Sequence, residues 1–569
     1  MLSESSLVLR QRLAGLMASV AAAVALAACG GSDSAPPAPA APAPAPAPTP
    51  AGTALTGTFH GPVAAAVTLQ NNGADNLAVI VPATTPAGGA YNTQTFTFSS
   101  LLASGAPYAV TLLATPPGQT CLVYQRATGT MPAAGRVNVG CEYTYDHVSR
   151  STDNATLATY FESRDPVLGG DATYGEGRFV AFTSSARALP GGAAGYSQVY
   201  WRDRFTGETV LVSANAAGVA GDNGSWVPAI SADGLTVVFE SVASNLVTGD
   251  TNSVSDVFVW SALNPSAGVQ RVSVGAGGAE SNGSSYEPTV SGDGTVVAFS
   301  SGASNLTAGV SGHSTINVYR RVLASGATTL ITADRHTGLG VGGAKPMLSQ
   351  DGTRLAFYSF SAALVANDTN GLWDVFVHDA TTATLQRVSL TGSGGERNQG
   401  SESSSRVVAP AISGNGRFVA FATTASNMVP GDTNGVQDVF VVDTQTGAVV
   451  RASVSTAGVQ GDLDSPIGQG ERLSLSYDGS WVGFSTMATN ITVTPSTSGI
   501  GNAVLKNIVT GQTIALSDLT SSSVGPVAVS RNAAYAAFGA GERLDPRYAS
   551  TGLFARYTGV APAFVWVSD

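Results

Sequence analysis

A phrase close to Ser-x-Asp-Gly-x-x-x-x-Phe, followed by a Val-Phe-Val run and then Arg-Val-Ser, returns seven times between residues 172 and 568. Its marker phenylalanines are Phe182, Phe239, Phe299, Phe357, Phe421, Phe484 and Phe538. Their separations run from 54 residues (Phe484 to Phe538) to 64 (Phe357 to Phe421). A unit repeated at such a period cannot bury its apolar faces alone and must stack on its neighbours. The period is too long for most solenoids and suits a four-stranded propeller blade.

Each copy reads as four strands. The first ends in a turn such as Asp233-Gly234, Asp293-Gly294, Asp351-Gly352, Asn415-Gly416 or Asp478-Gly479, where Asx and Gly accept positive φ. The second carries Val237-Val238-Phe239 and its equivalents, whose unbroken apolar character predicts a strand covered on both faces, with the phenylalanines between blades. The third is Val257-Phe258-Val259, Val375-Phe376-Val377 or Val439-Phe440-Val441, and the fourth Arg271-Val272-Ser273, Arg387-Val388-Ser389 or Arg451-Ala452-Ser453. The first and seventh copies are worn, with Glu176-Gly177 and Asn532-Ala533 at the turn. Val565-Trp566-Val567-Ser568 matches a fourth strand, and His147-Val148-Ser149 resembles an extra one that either locks the ring or leads out of the preceding domain.

The expected organisation is all-β. Residues 1–28 form a signal peptide, 29–53 a Pro/Ala-rich linker, 54–146 a small disulfide-bonded β-sandwich, 147–171 a connector or closing strand, and 172–569 a seven-bladed β-propeller. The 67 glycines suit many tight turns between short strands. A net charge of −11 with two lysines, Lys345 and Lys506, offers no basic stripe for phosphates and argues against a nucleic-acid partner.

Arg10 and Arg12 precede an apolar run from Leu13 to Ala25, and Leu26-Ala27-Ala28-Cys29 follows. The run is too short for a spanning helix. The pattern resembles the bacterial lipoprotein lipobox, and the resemblance implies that Cys29 is acylated and becomes the mature N-terminus, anchoring the chain in a membrane. Gly30 stands where aspartate would resemble an inner-membrane retention signal, so outer-membrane delivery is the expectation. The Pro/Ala tract that follows cannot build a core; some 20 residues of polyproline II reach roughly 60 Å from the lipid.

In the segment 54–146, Val67-Thr68-Leu69-Gln70, Thr95-Phe96-Thr97-Phe98 and Tyr108-Ala109-Val110-Thr111-Leu112 alternate as strands, and Asn71-Asn72-Gly73 is a hairpin signal. Cys121 and Cys141 are the cysteines left after lipidation, and an exported compartment predicts that they pair. Leu69-Gln70-Asn71-Asn72-Gly73, Gly118-Gln119-Thr120-Cys121 and Val139-Gly140-Cys141 resemble the small immunoglobulin-like modules of bacterial envelope lipoproteins. The repeats themselves resemble those of TolB-like β-propellers, relatives of WD-type propellers, over about 400 residues. That resemblance implies a periplasmic or envelope scaffold. It is weak for function, because related blades serve docking, sugar lyases and peptidase lids, and the familiar member has six blades.

Three loops between second and third strands repeat acids and amides at positions one, three and seven: Asp250, Asn252, Asp256; Asp368, Asn370, Asp374; Asp432, Asn434, Asp438. Closely spaced oxygens of this kind suit a hard cation such as Ca²⁺, and they equally suit turns in which Asp and Asn bond their own backbone. In an up-and-down blade these loops share a face with the connections between blades, which include Trp226 and Tyr286. Those two aromatics are the candidate ligand-binding residues at the channel mouth, for a protein segment or a saccharide; solvated polar loops are the plain alternative.

Catalytic constellations are thin: no Gly-x-Ser-x-Gly elbow, no His-Glu-x-x-His helix and no phosphate loop occur, and the five histidines are scattered. Three functions remain. The first is a monomeric lipid-anchored binding or scaffold propeller for an envelope protein or saccharide. The second is a polysaccharide lyase or glycosidase, and the third a calcium-stabilised structural protein.

Overall fold

The computed structural model describes residues 52–558, apart from 63–64, 82–90, 117–118, 132–135, 144, 151–162, 172, 188, 192–194, 205, 311–314, 401–407, 467–471, 493–499, 518–523, 542–543 and 545–551. Strands dominate and form nine four-stranded sheets; the helical content among the described residues is two 3-10 turns, Pro265–Ala267 and Ala276–Gly278.

Two sheets come first. One joins Thr53–Pro62, Tyr91–Leu102, Val137–Tyr143 and Gln119–Gln125; the other joins Ala66–Asn71, Asp75–Ile80, Pro107–Ala114 and Thr128–Thr130. Alternation explains how they pack: in Ala66–Asn71 the buried Val67 and Leu69 point one way while Thr68 and Gln70 point the other. Both sheets feed one core that holds Leu55, Phe59, Phe96 and Phe98 with Val67, Leu69 and Val110. Asn72 and Gly73, in the three-residue loop between the paired Asn71 and Asp75, both take positive φ, 51° and 71°, which Asn and Gly accept readily. Cys121 and Cys141 stand opposite each other on neighbouring strands, Cα atoms 4.1 Å apart, and are joined as a disulfide.

The other seven sheets repeat one plan. In the second of them the chain runs inner to outer through Ser225–Ile230, Thr236–Ser241, Asp256–Ser261 and Gln270–Arg271. All seven marker phenylalanines are fully buried; four stack on an aromatic of the third strand, Tyr200, Phe258, Tyr319 and Phe376, and Phe421 meets Phe440 at a tilt. Phe239 and Phe258 share a core with Phe179, Ala181 and Val199 of the preceding sheet, so the apolar faces of adjacent sheets cover each other.

Backbone hydrogen bonds between the turns after the inner strands carry the seven sheets round a circle. Gly170 N–H donates to Ala232 O, Ala232 to Gly292, Gly292 to Gln350, Gln350 to Gly414, Asn415 to Tyr477 and Tyr477 to Arg531, at 2.6 to 3.0 Å. Glu176 supplies the last link. Its carboxylate accepts from Ser530 Oγ and Asn532 N–H, both at 2.6 Å, tying the first sheet to the seventh.

The outermost place in the seventh sheet belongs to Tyr145–His147, which pairs antiparallel with Gly552–Tyr557. The ring is thus locked by chain that precedes it. Val565 to Ser568, the sequence match for that place, lie outside the described residues. The innermost strand of the first sheet, Ser163–Gly169, falls in the segment expected as a connector or closing strand.

Candidate binding site at the channel mouth

Cys29 lies outside the described residues, so the structure bears on the acid and amide loops and on the two aromatics. The three loops share one arrangement, and an arginine completes it. Arg271 reaches from the outer strand to Asp250, Asp256 and Glu280 at 3.4, 3.1 and 2.8 Å. Arg387 meets Asp368, Asp374 and Glu396 at 2.7, 3.5 and 2.9 Å. Arg451 meets Asp432, Asp438 and Gln460 at 3.0, 3.5 and 2.9 Å. Each is the arginine of the Arg-Val-Ser phrase. The serine of that phrase, Ser273, Ser389 or Ser453, donates to the buried seventh-position aspartate. Asn252 and Asn434 donate to the same aspartates at 2.9 and 3.0 Å, while their carbonyl oxygens accept from the loop backbone.

Burial, reinforced by the neighbouring Asp256, pushes Asp250 up to about 6; burial likewise raises Asp368 and Asp432. Asp250, Asp256 and Glu280 bring their carboxylate oxygens within 4.8 Å of one another, a spacing that suits a metal ion, and the Arg271 guanidinium supplies positive charge to all three.

The loops on this face also clamp one another. Asp222 accepts from Ser244 N–H and Oγ, both at 2.8 Å, and Asp462 accepts from Thr489 in the same way. Asn282 and Asn398 exchange hydrogen bonds with Ser304 and Ser426. Beside each serine or threonine, Asn245, Asn305, Asn427 and Asn490 donate to the preceding connection, at Ala220, Glu280, Glu396 and Gln460. The recurring phrase Ala243-Ser244-Asn245-Leu246, with equivalents at Ala303, Ala425 and Ala488, is the sequence signal for this clamp. Much of the polar surface on that face is consumed in holding sheets together.

The channel itself is different. At the outset of each inner strand sits a residue that in six sheets precedes proline: Asp165-Pro166, Val227-Pro228, Glu287-Pro288, Lys345-Pro346, Ala409-Pro410 and Gly525-Pro526, with Arg472-Leu473 in the remaining one. In the first four sheets this position falls at a shift in the strand register, and Asp165, Val227, Glu287 and Lys345 adopt φ of 55°, 54°, 55° and 58°. Left-handed backbone at a non-glycine residue ahead of proline is strained, and such strain persists where surroundings enforce it. Here carboxylates do so: Glu240 accepts from Glu287 N–H at 2.7 Å, and Glu287 accepts from Lys345 N–H at 2.9 Å.

The bulges aim these side chains into a cavity of about 120 Å³ at the mouth, lined by Asp165, Glu287, Lys345 and Arg472 with Val227 and Ala409. Acids occupy the arc of sheets one to three and bases the arc of sheets four to six. Among the described residues no hydrogen bond or ion pair holds the Asp165 carboxylate, the Lys345 ammonium or the Arg472 guanidinium. Elsewhere the chain couples its charges, as in Arg178–Asp203 and Arg417–Asp443 at 2.7 and 2.6 Å. Burial, countered by Arg472, raises Asp165; burial, with the Glu287 charge nearby, holds Glu240 up at about 7; burial lowers Lys345.

Below the mouth runs a shaft of about 190 Å³ between the inner strands, where Val167, Leu168, Ile230, Val290, Met347 and Ile412 alternate with polar groups that include Thr289, Gln350 and Ser474. At its turn end Arg531 donates to Gln350 across the ring, its guanidinium carbon 3.8 Å from the centre of the Tyr477 ring. The channel is therefore a cup, charged at the rim and lined within by aliphatic side chains interspersed with polar ones.

Trp226 and Tyr286 sit one residue before the left-handed positions Val227 and Glu287. Both are half-buried; the Trp226 ring packs over Gly224, where a side chain would collide with it, and burial raises the Tyr286 hydroxyl beside Glu287 and Glu240. Asp165, Glu240, Glu287, Lys345 and Arg472 were missed as a group, although the X-Pro dipeptide returning at 58 to 64 residues from Asp165-Pro166 to Ala409-Pro410 was available to find most of them.

No family model matches the chain, and no curated protein matches it. Solved structures similar to it include TolB from Acinetobacter baumannii, at 15% identity and a TM-score of 0.33, covering 64% of this chain and 65% of that one. The β-propeller domain of the Trilobed protease from Pyrococcus furiosus is similar at 10% identity and a TM-score of 0.40, over 70% of this chain and 93% of that one. An oligogalacturonate lyase from Vibrio parahaemolyticus is similar at 8% identity and a TM-score of 0.41, over 80% and 98%. The chain thus spans a little under two thirds of the Acinetobacter protein's length.

Proposed function

We propose that this chain is a lipid-anchored protein of the bacterial cell envelope, delivered to the outer membrane, in which a small β-sandwich precedes a seven-bladed TolB-like β-propeller. The propeller serves as a non-catalytic binding or scaffold module for a protein or saccharide partner. One observation carries the binding role: Asp165, Lys345 and Arg472 line the mouth cavity with no hydrogen bond or ion pair on their charged ends among the described residues, in a molecule whose arginines at the loops are held by carboxylates. Leaving desolvated charge unpaired costs stability, so its retention in a concave site speaks for a ligand.

The test uses the full mature chain in detergent, spread on peptide and glycan arrays beside a Lys345→Met/Arg472→Met variant. Capture by the wild type that the variant loses supports the reading; equal capture by both overturns the mouth as the site. Release of oligosaccharide from an arrayed glycan would replace binding by catalysis. Incorporation of labelled palmitate that disappears in Cys29→Ser checks the anchor.

A further inference from the structure

We propose that the cup takes a small amphipathic zwitterion with the chemistry of a free apolar α-amino acid, its ammonium on Asp165, its carboxylate on Arg472 and its side chain in the shaft. This deepens the binding role above and rests on it. Three features of the cup argue for that ligand.

The rim is dipolar rather than acidic or basic. Asp165 belongs to the first sheet and Arg472 to the sixth, and the seventh contributes Gly525 between them. Gly525 puts no side chain into that gap, and a cavity there is lined by Asp165, Pro166, Gly525 and Pro526. Arg472 lies close enough to Asp165 and Glu240 to act on their ionisation. No ion pair joins it to either among the described residues, so a ligand bridging them need not break one. The guanidinium fork suits a carboxylate, and the aspartate accepts from an ammonium.

The other acids are occupied. Glu240 holds Glu287 N–H, and Glu287 holds Lys345 N–H at 2.9 Å and Ser300 Oγ at 3.0 Å. These bonds fix the strained backbone and leave Asp165 as the carboxylate open to a cation.

The shaft adds selection. It shares Asp165, Met347 and Arg472 with the mouth cavity, so a head group seated at the rim directs its tail downward. Between Asp165 and Arg472 on one side and Thr289, Gln350 and Ser474 on the other, Val167, Leu168, Ile230, Val290, Met347 and Ile412 give the shaft an aliphatic stretch, and within some 190 Å³ that stretch accommodates a branched aliphatic side chain.

The test is isothermal titration of the full chain with leucine, 4-methylpentanoate, 3-methylbutylamine and glycine, which remove in turn nothing, the ammonium, the carboxylate and the tail. Leucine should bind more than about tenfold tighter than each of the others, since a charge-assisted contact or a buried isobutyl group is worth at least that factor. Asp165→Asn and Arg472→Met should each weaken leucine at least about tenfold without lowering the melting temperature, because neither side chain takes part in the hydrogen bonding of the fold and each substitution removes a desolvated charge.

If the acid or the amine alone comes within tenfold of leucine, the zwitterion is overturned, and if glycine does, the apolar tail is. Should no probe bind while Lys345→Met/Arg472→Met still abolishes array capture, this proposal falls and the channel-mouth reading stands. Both fall if no probe binds and capture is unaffected.

Discussion

Glu176 and Asn532 stand 356 residues apart in the chain, yet the carboxylate of the first accepts both the backbone and the side-chain N–H of the second, at 2.6 and 3.0 Å. In the intact repeats the turn is self-sufficient: Ser231, Ser291, Ser349 and Ser476 each donate to the aspartate two residues on. The seventh copy has Asn532 in place of that aspartate, and its Ser530 donates to Glu176 instead. Two copies that look degenerate separately are complementary together. The missing carboxylate of the last sheet is supplied by the first, at the seam where the ring must close.

Glu176→Ala should therefore cost more than an ordinary surface change. It strands a serine hydroxyl and two backbone donors in a buried place, and hydrogen bonds to a charged group contribute about 1.5 to 3 kcal/mol. A shift of the urea midpoint equivalent to about 2 kcal/mol is expected, with an exposed Glu208→Ala as the control. Equal midpoints for the two variants would show that the seal contributes nothing.

The arginine-centred loops give a second expectation. Removing one partner of a buried charge cluster costs about 3 to 5 kcal/mol, because the remaining charges lose their compensation. Arg387→Met leaves the buried Asp368 without its ion pair, with only Arg397 still on Asp374, and should lower the melting temperature by several degrees. Arg387→Lys should recover part of the loss, since an ammonium keeps the charge without the fork. In the wild type, dialysis against a chelator should leave melting unchanged, as the guanidinium fills the place a cation would take. A drop on chelation would return these oxygens to calcium.

Much of the architecture was legible because it is periodic. Phe239 and Phe299 recur because each faces a neighbouring sheet, and a recurring environment writes a recurring letter. The Arg-Val-Ser phrase was visible too, but only as a strand marker. That Arg271 turns back onto Asp250 and Asp256 depends on a hairpin folding the fourth strand over the loop before the third, which residue spacing does not display. The channel rim was illegible for the opposite reason. Asp165, Val227, Glu287, Lys345, Ala409, Arg472 and Gly525 hold one position with different side chains, so the repeat signal vanishes at the rim. The proline behind most of them survived, because it serves the backbone. His147-Val148-Ser149 did resemble a fourth strand, but whether it closed the ring or led out of the preceding domain was beyond pattern, since the partner of Tyr145–His147 is some four hundred residues away.

The disulfide predicts a local effect. Cys121 and Cys141 close a loop of 20 residues within the first two sheets, and cross-linking a loop of that size stabilises by about 3 kcal/mol. Cys121→Ser/Cys141→Ser should lower the unfolding midpoint of that region by a comparable amount, read by hydrogen exchange at Val137–Tyr143. Exchange in the marker strand Thr236–Ser241 should stay as it was. Loss of protection in both regions would mean that the seven-sheet ring depends on the bond.

Glu240 makes stability at the rim depend on pH, with a sign that follows from its environment. Burial and the Glu287 charge hold its carboxyl up at about 7, above the 4.5 of an exposed glutamate. The folded state therefore binds the proton more tightly than the unfolded chain. Its contribution is fully present below about pH 4.5 and is lost as pH rises through about 7. Glu240→Gln stays neutral at every pH and can still accept from Glu287 N–H through its amide oxygen. The variant should match the wild type near pH 4.5 and become the more stable of the two above pH 7, the gap opening between those values. Melting curves of both proteins at half-unit steps from pH 4 to 8 measure it. A gap constant across the range would mean that Glu240 ionises like an exposed glutamate.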